Sequence, residues 1–390
     1  MEASGSTVLT EKKPGRIYGP TAIKAATLFW TAPLGASAAA LAEELRRLRN
    51  VDAVGIVDRD GKALGIVRTG ELFGLLSKPF GREILGRMPV GELMEPSRCF
   101  EATAGLFEVA NGLLDADSAE KEKFCLLVDG SGAFEGVLSA KDLSAYLAGM
   151  TREDIGLAGA LQERLLVSGE SVEDERFRIR AWSRAAQGVG GDFWFTRRLP
   201  DGRAFFALCD VSGKGVAASL VVAMAWGMLK AGDPSLGLCR LVGELNDVIV
   251  ESFQLEKYLT GFFALYDPAG KTLEAADMGH AHALVFRGTT PKRLVARKAN
   301  LPVGIEHGQR PSVALWEMDR GDTLLVYSDG LVEQESASGA EFGERRLARL
   351  AARCLERGMS IEGTIPDAFD AFRAGAPQQD DVSMLVLSVL

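Results

Sequence analysis

Cysteine is sparse in this sequence and never closely spaced. Cys99, Cys125, Cys209, Cys239 and Cys354 stand far apart, with no CxxC pair among them. This excludes a zinc ribbon or a dithiol redox motif and fits reduced thiols in the core of a cytoplasmic protein. Long hydrophobic runs are missing too. The longest, Ala217 to Leu229, is interrupted by Ser219 and Gly227 and ended by Lys230, short of the roughly 20 residues that cross a bilayer. No membrane partner is expected. The opening stretch MEASGSTVLTEKKPGR lacks an apolar signal core, so secretion is not expected either. Basic charge is in deficit: 44 Lys and Arg face 53 Asp and Glu, a net −9. Phosphate backbones demand a basic surface, which excludes a general nucleic-acid binder. A small anionic group held through metal ions remains open.

Apolar material, by contrast, is ample. Of 390 residues, 47% are hydrophobic and 25% charged, enough for two or three domains. The chain divides near Gly149. A polar segment, 1–19, is expected to be flexible, and 20–148 carries one pattern twice. The first copy reads ASAAALAEELRRLR, DAVGIVDRDG, KALGIVRTGELFGLL; the second reads CFEATAGLFEVANGLL, KFCLLVDGSG, AFEGVLSAKDLSAYL. Each is helix, strand, turn, strand, helix, with an aspartate and glycine turn between two buried strands. One copy alone leaves an apolar face uncovered, so the two are expected to pack as one pseudo-symmetric unit. Over about 130 residues this is similar to a tandem CBS pair. In GVLSAKD of the second copy, the resemblance places Ser139 and Asp142 beside the ribose of an adenine nucleotide. The plainer reading is that they cap the helix that follows. The first copy departs from the pattern, with Arg68 where the hydroxyl lies and Glu71 in place of the aspartate.

Residues 149–170, MTREDIGLAGALQERLLVSG and neighbours, form a linker helix. Ile155, Leu157, Ala158, Leu161 and Leu165 mark an apolar stripe, with Glu163 and Arg164 opposite. The stripe either docks on its own domain or pairs with the same helix of a second chain as a short coiled coil. A homodimer is expected through this helix, the repeats, or both.

Residues 171–390 alternate strand runs with paired helices, which reads as an α+β sandwich: two sheets with helices outside. Acidic residues recur where strands begin and end. Asp192 begins one, Asp210 ends another before Gly213 and Gly215, Asp329 follows LLVYS, and Asp380 with Asp381 begins the last. Carboxylates so placed can converge at one rim of a sheet. Together they concentrate like charge unless a cation neutralises it. Oxygen-only ligands suit magnesium or manganese and disfavour zinc. A binuclear acidic site follows.

The stretch VGGDFWF looks like the start of a GGDEF cyclase motif, but Phe193 stands where that motif needs glutamate. A better match comes from GGDFW, CDVSGKGVAASL, DMGHAH, LPVGI, LLVYSDGLVE, EFGERRLARL and QQDDVSMLVL taken in order. Over about 210 residues the sequence resembles the bacterial PP2C-type protein serine/threonine phosphatases of the SpoIIE/RsbU-like group. The resemblance implies an αββα sandwich with two central antiparallel sheets and two Mn2+ or Mg2+ ions. It makes Asp210 the bridging ligand, adds the backbone carbonyl of Val211, and completes the set with Asp329 and Asp380. Asp192 would contact the ions directly or through water. Asp381 joins the candidate ligands, but neighbouring side chains of a strand point oppositely, so one of the Asp380/Asp381 pair faces the metals, and Asp380 is the choice. His280 and Gly304 shape the site wall. Lys214, in the DVSGKG loop where some relatives carry a histidine, is a weak proton-donor candidate. The chemistry implied is hydrolysis of phosphoserine or phosphothreonine by water made acidic between the ions, without a protein nucleophile. The implied partner is a STAS-domain anti-sigma factor antagonist. The competing reading is a catalytically silent, nucleotide-sensing scaffold that binds a regulatory partner.

Overall fold

The computed structural model describes residues 8–13, 19–114, 124–167, 171–295 and 298–390. The flexible segment expected over 1–19 falls mostly outside these residues, as does the 168–170 end of the linker. The chain forms two compact units, Met1–Arg152 and Glu153–Leu390.

One topology is repeated in the first unit. Trp30–Pro33 runs parallel to Ala53–Val57, which turns back into Ala63–Arg68. Cys99–Glu101 runs parallel to Phe124–Val128, which turns back into Phe134–Ser139. Both hairpins shift register at the same place, Ile56/Val57 and Leu127/Val128. The turns are chemically alike. Asp58 Oδ1 accepts the amides of Asp60 and Lys62, and Asp129 Oδ1 those of Ser131 and Ala133, an arrangement that short polar side chains impose on tight turns. Leu28, Ala53, Ile66, Leu126, Phe134 and Val137 form a core drawn from both copies, so each hides the face the other would expose. The short strands Trp30–Pro33 and Cys99–Glu101 escape sequence reading, because so few residues cannot display an alternation.

A single helix, Ala140–Val167, runs through the position where the linker was expected to begin. Glycine in a helix costs only about 1 kcal/mol, and Gly149 is flanked by good helix formers. It does not break the run.

In the second unit two antiparallel sheets face each other. The five-stranded sheet has the order Phe193–Arg198, Ala204–Val211, Leu259–Asp267, Thr272–Met278, Ala314–Glu317. The six-stranded sheet runs Thr290–Arg293, Ala283–Arg287, Asp322–Tyr327, Val382–Val389, Phe177–Arg184, Val172–Glu173. Strand alternation sorts AFFALC between two cores. Ala204, Phe206 and Leu208 pack between the sheets with Ile179, Val326 and Leu385. Phe205, Ala207 and Cys209 point outward under helices Val216–Ala231 and Leu238–Phe253. On the other side, helices Glu344–Arg357 and Ile361–Arg373 cover Phe286, Leu325 and Met384. The architecture is α+β with four layers, and the strands' near-continuous apolar runs follow from burial on both faces.

Candidate active site

Four chain segments meet at one rim of the second unit. Strand Ala204–Val211 carries Asp210 to its end, and the loop after it turns through Gly213 and Gly215, at φ +78° and +80°. These left-handed conformations favour glycine. The turn then enters helix Val216–Ala231. The VGGD segment lies alongside: the Val211 amide donates to the Gly191 carbonyl at 3.2 Å. A Cβ on Gly191 would sit 2.9 Å from the Val211 oxygen and 3.5 Å from Asp210 Oδ1. The glycine therefore lets Asp192 approach Asp210. From the opposite sheet, strand Asp322–Tyr327 delivers Asp329 to the start of a short helix. A Cβ on Gly330 would collide with the Asp381 carbonyl and lie 3.0 Å from the Asp380 Cβ. Ser328 secures this junction: its amide donates to the Ser383 carbonyl at 2.9 Å, and its Oγ accepts the Ser383 amide at 2.9 Å.

The charges are mutually felt. Asp210 is pushed up to about 7, first by burial and then by Asp329, Asp380 and Asp381, with Lys214 opposing. Asp192, 6% exposed, is held well above the usual carboxylate range by burial and then by Asp210, against a hydrogen bond from Ser328. Its Oδ2 is buried without a hydrogen-bond partner. Such an atom is costly unless something positive faces it. The donor set is all oxygen, as a hard divalent cation requires, and in these respects the residues fit the expected ions. Among the described residues, however, no three His, Cys, Asp or Glu side chains are gathered as a metal-binding group. The positions of Asp380 and Asp381 show why.

Asp381 faces the protein. Its Oδ1 accepts the Ala186 amide at 2.7 Å and its Oδ2 the Gly191 amide at 2.5 Å, so it anchors the loop that presents Asp192. Asp380 faces the solvent side and pairs with Lys214 Nζ at 2.9 Å. The two neighbours thus point apart, although both stand just ahead of the last strand, Val382–Val389, and not within it. His280 is buried, its ring edge-on to His282 with centroids 5.8 Å apart, and burial drives it down to about 3. Gly304, at φ +96°, donates its amide to Asn246 Oδ1 at 2.9 Å.

Two participants were not singled out by sequence. Ser328 sits at the strand end beside Asp329. Gln162, on helix Ala140–Val167, is bonded to Gly190. The signal available for it was periodicity: Ile155, Gly159 and Gln162, at successive spacings of four and three, share one helical face. Ser139 and Asp142 lie in the first unit. Ser139 Oγ accepts the Asp142 amide at 3.0 Å and donates to Asp142 Oδ2 at 2.7 Å, while Thr27 Oγ1 donates to the same oxygen at 2.9 Å. That is a helix cap.

Comparison with known proteins bears on the second unit. Residues 200–390 match the family model described as Stage II sporulation protein E (SpoIIE). Phosphoserine phosphatase RsbU of Bacillus subtilis is 24% identical over 191 residues, 48% of this chain and 56% of that protein. Protein IcfG of Synechocystis is 20% identical over 241 residues, 55% of this chain and 38% of that one. The chain thus spans about half the length of the first relative and less of the second. Among solved structures, the SiaA PP2C domain of Pseudomonas aeruginosa aligns with a TM-score of 0.54 at 18% identity, covering 63% of this chain and all of that domain; this likeness speaks for the fold. Family model and architecture agree in likening the second unit to the PP2C-type domains of the SpoIIE group.

Proposed function

We propose that the protein is a metal-dependent protein serine/threonine phosphatase. The observation that carries this is the unpartnered, buried Asp192 Oδ2 beside Asp210, at a rim that Asp329 and Asp380 also reach. Two divalent cations, Mn2+ or Mg2+, would be held by Asp210, Asp329 and Asp380, with Asp192 and the Val211 carbonyl. Bound there, they would supply acidification of water and neutralisation of phosphate charge. The protein's part is to fix the carboxylates. Gly191 and Gly330 bring segments into van der Waals contact, and Asp381 serves as an anchor for the loop rather than a ligand. RsbU is named a phosphoserine phosphatase, and we extend that substrate class to this chain, with a STAS-domain anti-sigma factor antagonist as the protein that carries the phosphate. The first unit is read as a tandem CBS pair that regulates the second, with an adenine nucleotide at Ser139 and Asp142. Among the described residues no helix is long and apolar enough to cross a membrane, and a cytoplasmic location is part of the reading.

The test is phosphate release from a phosphoserine protein with Mn2+. Wild type should turn over, and Asp210→Asn and Asp329→Asn should lose at least about a hundredfold, given what removal of one charge-stabilising group from an active site does. Equal activity in all three would reject the assignment. The competing reading is a silent scaffold that binds a regulatory partner. Mn2+ calorimetry separates the two, since a scaffold shows no carboxylate-dependent heat.

A further inference from the structure

Lys214 lies between the two positive-φ glycines of the loop after Asp210, and its ammonium reaches across to the segment that opens the last strand. Nζ contacts Asp380 Oδ1 at 2.9 Å and donates to the Gln379 carbonyl at 2.8 Å. The same Oδ1 accepts the Asp381 amide at 2.8 Å. Both lone pairs of that oxygen are therefore engaged, one by the amide of the next residue and one by the lysine. The other nearby cations are committed elsewhere. Arg184 holds Asp370 through both terminal nitrogens, at 3.0 and 2.8 Å, and Gln378 through Nε at 2.7 Å. Lys257 donates to the Ser212 carbonyl at 2.8 Å. Lys214 alone of these three bears on Asp380.

We propose that Lys214 is a built-in counter-ion that holds Asp380 until a divalent cation displaces it. The inference rests on the metal-centre reading above and adds a residue that opposes ion entry. A carboxylate oxygen coordinates a divalent ion at about 2.0–2.6 Å. An ammonium on that same oxygen would then stand within a few ångströms of a doubly positive charge, where repulsion is strong. The two cannot share Oδ1. Metal binding through this oxygen thus requires the lysine side chain to swing out, which its exposed, flexible stem permits.

Calorimetric titration of the full-length protein with Mn2+ tests this. Lys214→Met should bind Mn2+ at least about fivefold more tightly than wild type, since an ammonium no longer competes for the carboxylate. Lys214→Gln, a second neutral variant, should do the same, so that the result does not hinge on one side chain. In an Asp380→Asn background, adding Lys214→Met should give a clearly smaller gain, because only the general repulsion that Lys214 also exerts near Asp210 remains. Unchanged or weaker binding by both neutral variants overturns the proposal, as does a gain that persists undiminished with Asp380→Asn. Absence of Mn2+ binding in wild type overturns the metal reading as well; Asp210-dependent binding that ignores Lys214 overturns the lysine's role alone.

Discussion

The Gln162 side chain and the Gly190 peptide satisfy each other. Nε2 donates to the Gly190 carbonyl at 2.7 Å, and the Gly190 amide donates to Oε1 at 2.9 Å. Gln162 is only 8% exposed. The next amide, Gly191, goes to Asp381, so the loop before Asp192 is gripped from two sides. Gln162→Ala leaves both polar groups of a buried peptide unmatched and is expected to cost about 1–3 kcal/mol. Because the loop carries Asp192, Mn2+ affinity should fall too, although no carboxylate is removed. Urea denaturation and Mn2+ calorimetry on one preparation check both; an unchanged variant would show that the grip is incidental.

Asp210 should display a trade between stability and activity. The chain buries it among other carboxylates, which raises it to about 7. Asparagine keeps the shape and removes the charge. In metal-free buffer Asp210→Asn is therefore expected to melt higher than wild type, by the equivalent of ~1–4 kcal/mol, while losing Mn2+ binding. A lower melting temperature without metal would mean that the carboxylate is already compensated.

The contrast between Asp210 and Gln162 shows what sequence can reveal. Asp210 and Asp329 were legible because each stands where an apolar strand meets a glycine turn, and Asp380 because it stands just ahead of an apolar strand, both local patterns. The sheets were legible from runs such as AFFALC, whose burial on both faces leaves no other choice. Gln162 was hidden because its partner is 28 residues away in a loop without regular structure. The opposite orientations of Asp380 and Asp381 were expected from strand alternation, yet both residues precede the strand, and the role of Asp381 as a loop anchor depends on amides at 186 and 191 that only the folded chain brings near.

An acid-sensitive contact joins Asp370 to Arg184 and Arg373. Hydrogen bonding from Arg184 lowers Asp370 to about 2, opposed by burial and helped by Arg373. Its folded value thus lies below the unfolded value of about 3.9. Stability from this group is complete above about pH 4 and is lost as pH falls toward 2. The pair is partly exposed, 34% and 44% for the two side chains, so screening limits it to about 1 kcal/mol. Urea midpoints of wild type and Asp370→Asn should differ at pH 6, and the gap should narrow below about pH 4 and close only near pH 2. A gap that widens on acidification would contradict the sign.

Ser139 and Asp142 offer a test of the nucleotide reading. As a cap alone, Ser139→Ala should cost about 1 kcal/mol and nothing else should change. As a nucleotide site, wild type should also gain melting temperature with ATP or AMP, through preferential binding to the folded state. Asp142→Ala should abolish that gain. Thermal shift of the full chain distinguishes the outcomes. No shift with any adenine nucleotide leaves only the cap, with Thr27 and Ser139 already occupying the Asp142 oxygen.

The helix that carries Gln162 has a second face to account for. The stripe expected from sequence is split by the fold. Ile155 abuts Gly188, and a Cβ on Gly159 would strike the Gly188 carbonyl, so this side docks on its own domain. Leu157 and Leu161, four residues apart, remain 63% and 52% exposed. Two leucines at that spacing are what a short coiled coil uses to pair with its twin, and their burial would add roughly 1.5–3 kcal/mol each. Wild type is therefore expected to sediment as a dimer at micromolar concentration, and Leu157→Asp with Leu161→Asp as a monomer. Because neither leucine touches the loop before Asp192, the monomeric variant should keep its Mn2+ affinity. Wild type that is monomeric throughout would assign the whole helix to its own domain.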